Sequence, residues 1–172
     1  MKKGKLVGKG CFSKVYENPE DPSSVLIVSC CPTKECMSFG WGNSGDLFPK
    51  LERLDDCGDF QCFKMKRYSK TRKIKPFISD HQWQLYRALG GLMCKFKPPS
   101  KISYCHWQEQ FESLPDEFED EKSQLLEMLD ALANYGDDMC FEISPRNIAI
   151  DNGKLILLDC FFMISKLKEV RK

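Results

Sequence analysis

Apolar residues at strand spacing dominate the beginning of the chain. Residues 5–16 have the pattern of a short strand, a glycine-containing turn and a second strand. Residues 25–28 are a continuous apolar run typical of a buried strand, and apolar and charged residues interleave over 59–68, as in a half-exposed strand. The segment 33–39 has the length of one or two helical turns. This pattern predicts a small, mostly β region that extends to about residue 66.

Helical spacing follows in the middle of the chain. Residues 79–93 predict a helix, with a capping box made by Ser79 and Gln82 at its start. Its apolar positions recur at intervals of three and four residues: Trp83, Tyr86, Leu89 and Met93. A second helix is predicted from residue 115 or 116 to 135, because its acidic first turns match the positive end of the helix dipole. The aromatic segment 104–107 between the two helices has no definite period.

A hairpin is predicted near the end of the chain, within residues 134–163. Two apolar runs, 147–150 and 154–158, flank an Asp-Asn-Gly turn, and Asn-Gly between strands is a strong hairpin signal because both residues tolerate positive φ. Three polar residues lie around this hairpin: Glu142, Asn147 and Asp159. A carboxylate brought beside an amide has the hard oxygen ligands that divalent cations take. The alternative is a structural hairpin capped by polar residues.

The first turn of the chain contains a G-x-G sequence made by Gly8 and Gly10, with Ser13 where a third glycine would complete G-x-G-x-x-G. Such a loop can place backbone N–H groups against phosphates. A strand follows it rather than a helix, and this disfavours a dinucleotide-binding fold. A plain hairpin is the alternative interpretation.

Composition and charge restrict the classes of partner. The 172 residues suit one domain or two small lobes that share a cleft, and a net charge of +1 gives no general attraction to nucleic acid or to membranes. No apolar run reaches the length of a membrane span, and the N-terminus lacks a secretory signal. The 10 cysteines are scattered without a C-x-x-C pair, so we expect reduced thiols, no zinc site and a cytoplasmic protein.

In this order, the elements and motifs resemble the protein kinase fold. Residues 140–147 (CFEISPRN) are similar to the catalytic-loop pattern H-R-D-x-x-x-x-N, and Asp159 follows an apolar strand where kinases have D-F-G. Residues 8–15 are similar to the Gly-rich loop. The resemblance implies an α+β, two-lobed fold of minimal size. Its β-rich N-lobe would cover about 1–66, its hinge about 66–69 and its truncated helical C-lobe about 70–172.

The short chain resembles the minimal Ser/Thr protein kinases of short-tailed phages and the compact effector kinases of bacterial pathogens. This resemblance implies phosphoryl transfer from ATP, with Mg²⁺, to a protein substrate. If the chain is a phage protein, the implied substrate is a host protein in the host cytoplasm. Nucleic acid and membranes are not expected as partners. The implied catalytic base is Glu142, and the implied magnesium ligands are Asn147 and Asp159. The implied nucleotide-binding residues are those of the glycine loop: Gly8, Gly10, Ser13, Lys14 and Val15.

Several residues depart from the kinase pattern. Residues 25–31 contain no lysine, and Ile27 or an apolar neighbour takes the position of the lysine on the third strand that binds phosphates in kinases. Without this lysine, Glu35 has no evident ion-pair partner. Glu142 replaces the aspartate base, and Phe161 replaces the D-F-G glycine. The lysines that remain as candidates for the phosphate contact are Lys9, Lys14, Lys64 and Lys66.

Two functional hypotheses follow from these departures, and a third stands apart from the kinases. The first is an active, atypical kinase with a relocated lysine. The second is a pseudokinase that binds a host protein and inhibits or redirects it without catalysis. The third is an interaction domain unrelated to kinases.

Overall fold

The computed structural model describes residues 2–42, 44–54, 58, 60–69, 73–94 and 103–170. Its strands are β1 (Leu6–Lys9), β2 (Ser13–Glu17), β3 (Ser24–Ser29), β4 (Leu51–Arg53), β5 (Gln61–Lys66), β6 (Met139–Phe141), β7 (Ile148–Asp151), β8 (Lys154–Leu157) and β9 (Phe161–Met163). Its α-helices are α1 (Pro32–Ser38), α2 (Asp80–Cys94), α3 (Ser103–Glu112), α4 (Glu119–Ala133) and α5 (Ile164–Val170). Short 3₁₀ turns lie at Lys75–Phe77 and Asp116–Phe118. The protein therefore has an α+β fold, as the sequence predicts.

Strands β1 to β5 form an antiparallel sheet in the order β1-β2-β3-β5-β4. The apolar run predicted as a buried strand is β3, at the centre of this sheet. Ile27 pairs with Val15 on β2 and with Phe63 on β5, and the side chains of Ile27 and Phe63 are buried in the core. Helix α1 follows β3 in the chain and packs against β4, β5 and α4. It thus lies between the sheet and the helical part of the protein.

The second part of the protein combines helices with two short antiparallel strand pairs. Helix α3 packs against α4 and β6, and α2 packs against β8. Strand β6 pairs with β9 and β7 pairs with β8. A cluster of buried aromatic rings fills the space between these elements: Trp107, Phe111, Phe141 and Phe161. A single hydrophobic cluster includes these rings together with Ile27 and Phe63 of the sheet, so the core is continuous between the two parts.

The start of α2 confirms half of the predicted capping box. The backbone N–H of Gln82 donates to Ser79 Oγ at 3.2 Å. The side chain of Gln82 does not return to the cap, because it donates to Glu121 at 2.9 Å and accepts from the backbone N–H of Leu155 at 2.9 Å. Gln82 therefore joins α2 to α4 and to β8, a tertiary contact that the capping pattern does not show.

The second helix is shorter at both ends than predicted, since α4 covers Glu119–Ala133. The predicted helix from residue 115 or 116 to 135 begins with the 3₁₀ turn, and α4 starts only at Glu119 because Phe118 has a non-helical backbone (φ −110°, ψ 25°). The aromatic segment 104–107 is part of helix α3. Its Trp107 is fully buried and donates to the backbone oxygen of Met139 at 3.2 Å, which gives this segment a role in the core.

Candidate functional site

The hairpin β7–β8 forms as predicted. Asn152 has a φ of 49° and Gly153 a φ of 79°, the two consecutive positive values that a tight hairpin turn needs. The register pairs Asp151 with Lys154 at the turn and Ile148 with Leu157 at the open end. The hairpin therefore returns the chain to the residue that precedes β7.

Asn147 and Asp159 meet at the open end of this hairpin. The backbone oxygen of Asn147 accepts hydrogen bonds from the backbone N–H groups of Leu158, at 2.8 Å, and of Asp159, at 3.2 Å. The thiol of Cys160 also donates to this oxygen, at 3.5 Å. The two residues implied as magnesium ligands are thus held side by side through their backbones.

Glu142 joins the same group from β6. Its backbone N–H donates to the oxygen of Cys160 at 2.7 Å, and the neighbouring Cys140 pairs with Phe162 in the β6–β9 ladder. The side chain of Glu142 is exposed. The fold therefore brings all three polar residues of the predicted hairpin site to the segment 158–160.

The carboxylate of Asp159 has an unusual environment. Its Oδ1 atom is buried and has no hydrogen-bond partner among the described residues. The ammonium of Lys34 lies 3.3 Å from this atom, as an ion pair without hydrogen-bond geometry, and it donates to the backbone oxygen of Leu158. The side chain of Lys34 is 5% exposed and that of Asp159 is 33% exposed. Since Oδ1 is buried, the exposed part of the carboxylate is on its Oδ2 side.

Helix α1 fixes the chain on both sides of Asp159. Thr33 donates through its hydroxyl to the backbone oxygen of Phe161 at 3.1 Å, and Lys34 donates to that of Leu158. Two consecutive residues of one helical turn therefore hold the segment that contains the carboxylate. A shift of α1 would move the Lys34 ammonium and the Asp159 segment together.

Lys34 is the functional candidate that the sequence interpretation missed. Of the lysines considered there, Lys64 pairs with Asp21 at 3.6 Å and Lys66 with Asp151 at 2.7 Å, while Lys9 and Lys14 are exposed. These four lysines lie on strands, whereas Lys34 lies on helix α1. The helical spacing of α1 is the signal that could have identified Lys34, because it places residue 34 beside the buried positions 33, 36 and 37.

The glycine loop passes over Asp159. A Cβ atom built on Gly10 would lie 3.9 Å from Asp159 Oδ2. Ser13, at the position of the missing third glycine, is buried and shares a hydrogen bond of 2.7 Å with the hydroxyl of Ser29 on β3. The loop is therefore anchored to the sheet beside the exposed side of the carboxylate.

The other loop residues lie on two faces of the sheet. Gly8 pairs with Val15, and a bulge lies between Leu6 and Gly8. Val15 is half-buried and packs against the core, whereas Lys14 is exposed. Because successive side chains of a strand alternate in direction, Lys14 and Val15 point to opposite faces of the sheet. Ser13 and Val15 therefore point to the same face of the sheet as Ile27, the face that is packed against the core.

Glu35 has partners, although none is evident in the sequence. Its two carboxylate oxygens contact the guanidinium of Arg53, at 3.1 Å, and the hydroxyl of Tyr135, at 3.1 Å. Burial raises the pKa of Tyr135, and the nearby Cys36 and Glu35 raise it further. Glu35 therefore pairs outside the site, in contrast with the glutamate–lysine pair of active kinases.

The thiols around Asp159 remain protonated near neutral pH. Burial raises the pKa of both Cys31 and Cys160, and the negative charge of Asp159 raises each of them further. Burial also raises the pKa of Cys36, to about 12. Since the thiolate is the nucleophile and the metal ligand, these cysteines are suited to packing rather than to either role.

The donor set at Asp159 is compatible with a magnesium ion that is shared with a ligand. Among the described residues, no group of three or more His, Cys, Asp and Glu side chains is arranged to hold a metal by itself. Mg²⁺ is usually held by one or two carboxylates together with phosphates of the substrate and water. Asp159, whose Oδ1 atom accepts no hydrogen bond and is in an ion pair with Lys34, agrees with that smaller set, with Asn147 next to it.

Comparisons with known proteins add no family to this description. The chain matches no protein-family model and no curated protein. In the described part of the chain, no helix is long and apolar enough to cross a membrane.

Proposed function

We propose that this chain is a minimal, atypical Ser/Thr protein kinase-like protein that binds ATP with Mg²⁺ between the glycine loop and Asp159. The observation that carries the proposal is the position of Gly10 above Asp159, whose buried Oδ1 lacks a hydrogen-bond partner and faces the ammonium of Lys34. Phosphoryl transfer needs a phosphate-covering loop, a metal-binding carboxylate and a cation in one place. These three groups converge here.

The proposal gives the fold two lobes with the site between them. Strands β1 to β5 with α1 would form the small lobe. Helices α2 to α4 with the strand pairs β6–β9 and β7–β8 would form the other. The position of α1 supports this division, because it follows the third strand, as the αC helix does in kinases, and contacts both β5 and α4. Because a Cβ atom built on Gly10 would lie only 3.9 Å from Asp159 Oδ2, the glycine loop would have to lift for the nucleotide to enter beneath it.

In this proposal, different residues bind the phosphates, the base, the metal ion and the protein substrate. Backbone groups around Gly8 and Gly10 would face the phosphates, and Val15 would pack against the base. Asn147 and Asp159 would hold the magnesium ion, which supplies positive charge to the phosphates when bound. Glu142 would orient the attacking hydroxyl and accept its proton; its exposed side chain can reach a substrate at the surface.

The test is transfer of radiolabelled phosphate from ATP, with Mg²⁺, to the protein itself or to a generic protein substrate. We expect labelling by the wild type and none by Asp159→Asn. Asp151→Asn is the matched control, because Asp151 belongs to the same hairpin and pairs with Lys66 at the surface. If the folded wild type transfers no phosphate with either Mg²⁺ or Mn²⁺, the kinase activity is refuted.

The second candidate function is a pseudokinase that acts by binding another protein. Two exposed aromatic residues beyond the end of α1 favour it: Phe39 is 62% exposed and Trp41 is 48% exposed. The longer Glu142 in place of an aspartate also disfavours efficient transfer, since a displacement of about 1 Å can cost about 100-fold in rate. Nucleotide binding without transfer would support this second function over the first.

A further inference from the structure

Lys34 is a buried cation whose hydrogen-bonding capacity is not used up. An ammonium has three donor hydrogens. Within the described residues, the ammonium of Lys34 has one hydrogen bond, to the backbone oxygen of Leu158, and one ion pair, with Asp159 Oδ1. Burial of a charge is costly unless it is well paired. At 5% exposure, Lys34 has little water to complete its coordination.

The third strand offers no cation at this place. Its last residue, Ser29, is fully buried, and its hydroxyl contacts Ser13 at 2.7 Å, the backbone oxygen of Phe12 at 3.2 Å and the backbone N–H of Cys31 at 3.1 Å. These bonds join the glycine loop to the chain that enters α1. The end of β3 therefore anchors the loop, and the ammonium that contacts Asp159 belongs to the next element, helix α1.

We infer that Lys34 binds the phosphate oxygens of the nucleotide and so replaces, from helix α1, the lysine that β3 lacks. The inference rests on the proposed nucleotide site. A polyphosphate beneath Gly10 would lie beside the Asp159 carboxylate, and a cation must offset the repulsion between the two. Lys34 contacts this carboxylate already and is held at its position by the α1 turn, because Thr33 is bonded to Phe161.

A lysine with a purely structural role would behave differently. If Lys34 served only to hold the α1 turn in place, its loss would weaken the binding of adenosine and of ATP to a similar extent through a general distortion. If it contacts phosphate, its loss must affect each ligand according to its number of phosphates. The ratio of the ATP affinity to the adenosine affinity therefore separates the two roles.

The first experiment measures the affinities of adenosine, AMP, ADP and ATP for the whole chain by calorimetry, with Mg²⁺ present. In the wild type we expect affinity to rise with the number of phosphates. In Lys34→Met the affinity for ATP should fall about 10- to 100-fold, because one charge-assisted hydrogen bond is lost. The affinity for adenosine should stay unchanged. Lys64→Met is the matched control, because Lys64 lies on β5 and its side chain is 37% exposed and paired with Asp21. It should bind all four ligands as the wild type does.

A second experiment uses the unaltered protein, since Lys34→Met leaves a carboxylate without its cation and can fail to fold. The probe is an acyl phosphate of ATP. The ammonium of a lysine near the phosphates first loses a proton to solvent, and the neutral amine attacks the acyl carbon. The bond between this carbon and the phosphate oxygen breaks, ATP leaves, and the nitrogen loses a second proton to solvent as the amide forms. Mass spectrometry should find the acyl group on Lys34, and an excess of ATP should prevent it.

The outcomes distinguish the inference from the function on which it rests. A folded wild type that binds none of the four ligands overturns the proposed function. A wild type that binds ATP more tightly than adenosine, together with an unchanged ratio in Lys34→Met, overturns the inference alone. Acylation of Lys9 or Lys14 in place of Lys34 also overturns it.

Discussion

The hydroxyl of Tyr135 donates a hydrogen bond of 3.1 Å to the carboxylate of Glu35, across 100 positions of the chain. Glu35 is the neighbour of Lys34 on α1, and Tyr135 lies just beyond the end of α4. The second oxygen of Glu35 pairs with Arg53 on β4. The Glu35 carboxylate therefore connects α1 both to β4, at the edge of the sheet, and to the end of α4. The neighbouring Lys34 faces Asp159.

Removal of the Tyr135 hydroxyl should loosen this connection. Tyr135→Phe should lower the free energy of unfolding by about 0.5–1.5 kcal/mol, the usual net value of one hydrogen bond, as measured by urea denaturation. It should also weaken ATP binding, because the position of Lys34 depends on α1.

Tyr104→Phe is the matched control for this prediction. Tyr104 also donates its hydroxyl to a carboxylate, that of Asp130, but this pair joins α3 to α4 away from α1. Its removal should reduce stability without a change in ATP affinity. Equal effects of the two variants on ATP binding would contradict a positioning role for Glu35 and Tyr135.

Stability should fall at alkaline pH through Tyr104. The hydrogen bond to Asp130 raises the pKa of Tyr104 from 10.0 to about 12. A raised pKa in the folded state means that the stabilisation is complete below pH 10, the unfolded value, and is lost as the pH rises toward about 12. Urea denaturation at a series of pH values should show this loss, and Tyr104→Phe should reduce its slope. An identical slope in the variant would show that Tyr104 is not its source.

Local signals in the sequence were sufficient for β1, β2, β3 and β5 and for the hairpin, whereas β4, β6 and β9, of three residues each, were not predicted. The apolar run of β3 and the Asn-Gly turn of β7–β8 depend on periodicity and on backbone preference, which adjacent residues determine. The turn also predicts that Asn147 and Asp159 lie close together, because a tight hairpin places the residues at its two open ends side by side.

The contacts of α1 could not be predicted in the same way. Lys34 reaches Leu158 and Glu35 reaches Tyr135, and each pair is separated by 100 or more positions. Such pairs depend on the packing of α1 between the sheet and α4, which no local pattern encodes. For the same reason, Glu35 had no evident partner in the sequence.

Replacement of Phe161 by glycine, the residue that the kinase D-F-G pattern has at this position, should destabilise the protein. Phe161 is fully buried, with ring centroids 5.0 Å from Phe141 and 5.9 Å from Phe111. Phe161→Gly should cost more than about 3 kcal/mol in unfolding free energy, because it opens a large cavity in this aromatic cluster. Phe162→Ala, at a half-buried position that stacks on Phe12, should cost less. A loss of under 1 kcal/mol in Phe161→Gly would mean that the cluster can close around the cavity.

Phosphoryl transfer should depend on Glu142 without a matching effect on stability. The Glu142 side chain is exposed, and its structural bond is made by its backbone, so Glu142→Gln should fold as the wild type does. If Glu142 is the base, transfer should fall about 10²- to 10⁴-fold, with ATP affinity unchanged. Glu109→Gln, an exposed glutamate of α3, is the control. Full activity of Glu142→Gln would remove Glu142 from the catalytic group.

Nucleotide binding should protect a thiol of the glycine loop. Cys11 is exposed and follows Gly10, whose built Cβ lies 3.9 Å from Asp159 Oδ2. A nucleotide beneath the loop would restrict access to Cys11, so ATP with Mg²⁺ should slow its reaction with a maleimide. Cys105 on α3 is also exposed and acts as an internal control in the same sample, with a rate that ATP should not change. Mass spectrometry of both peptides measures the two rates together. Equal rates for Cys11 with and without saturating ATP would place the nucleotide away from this loop.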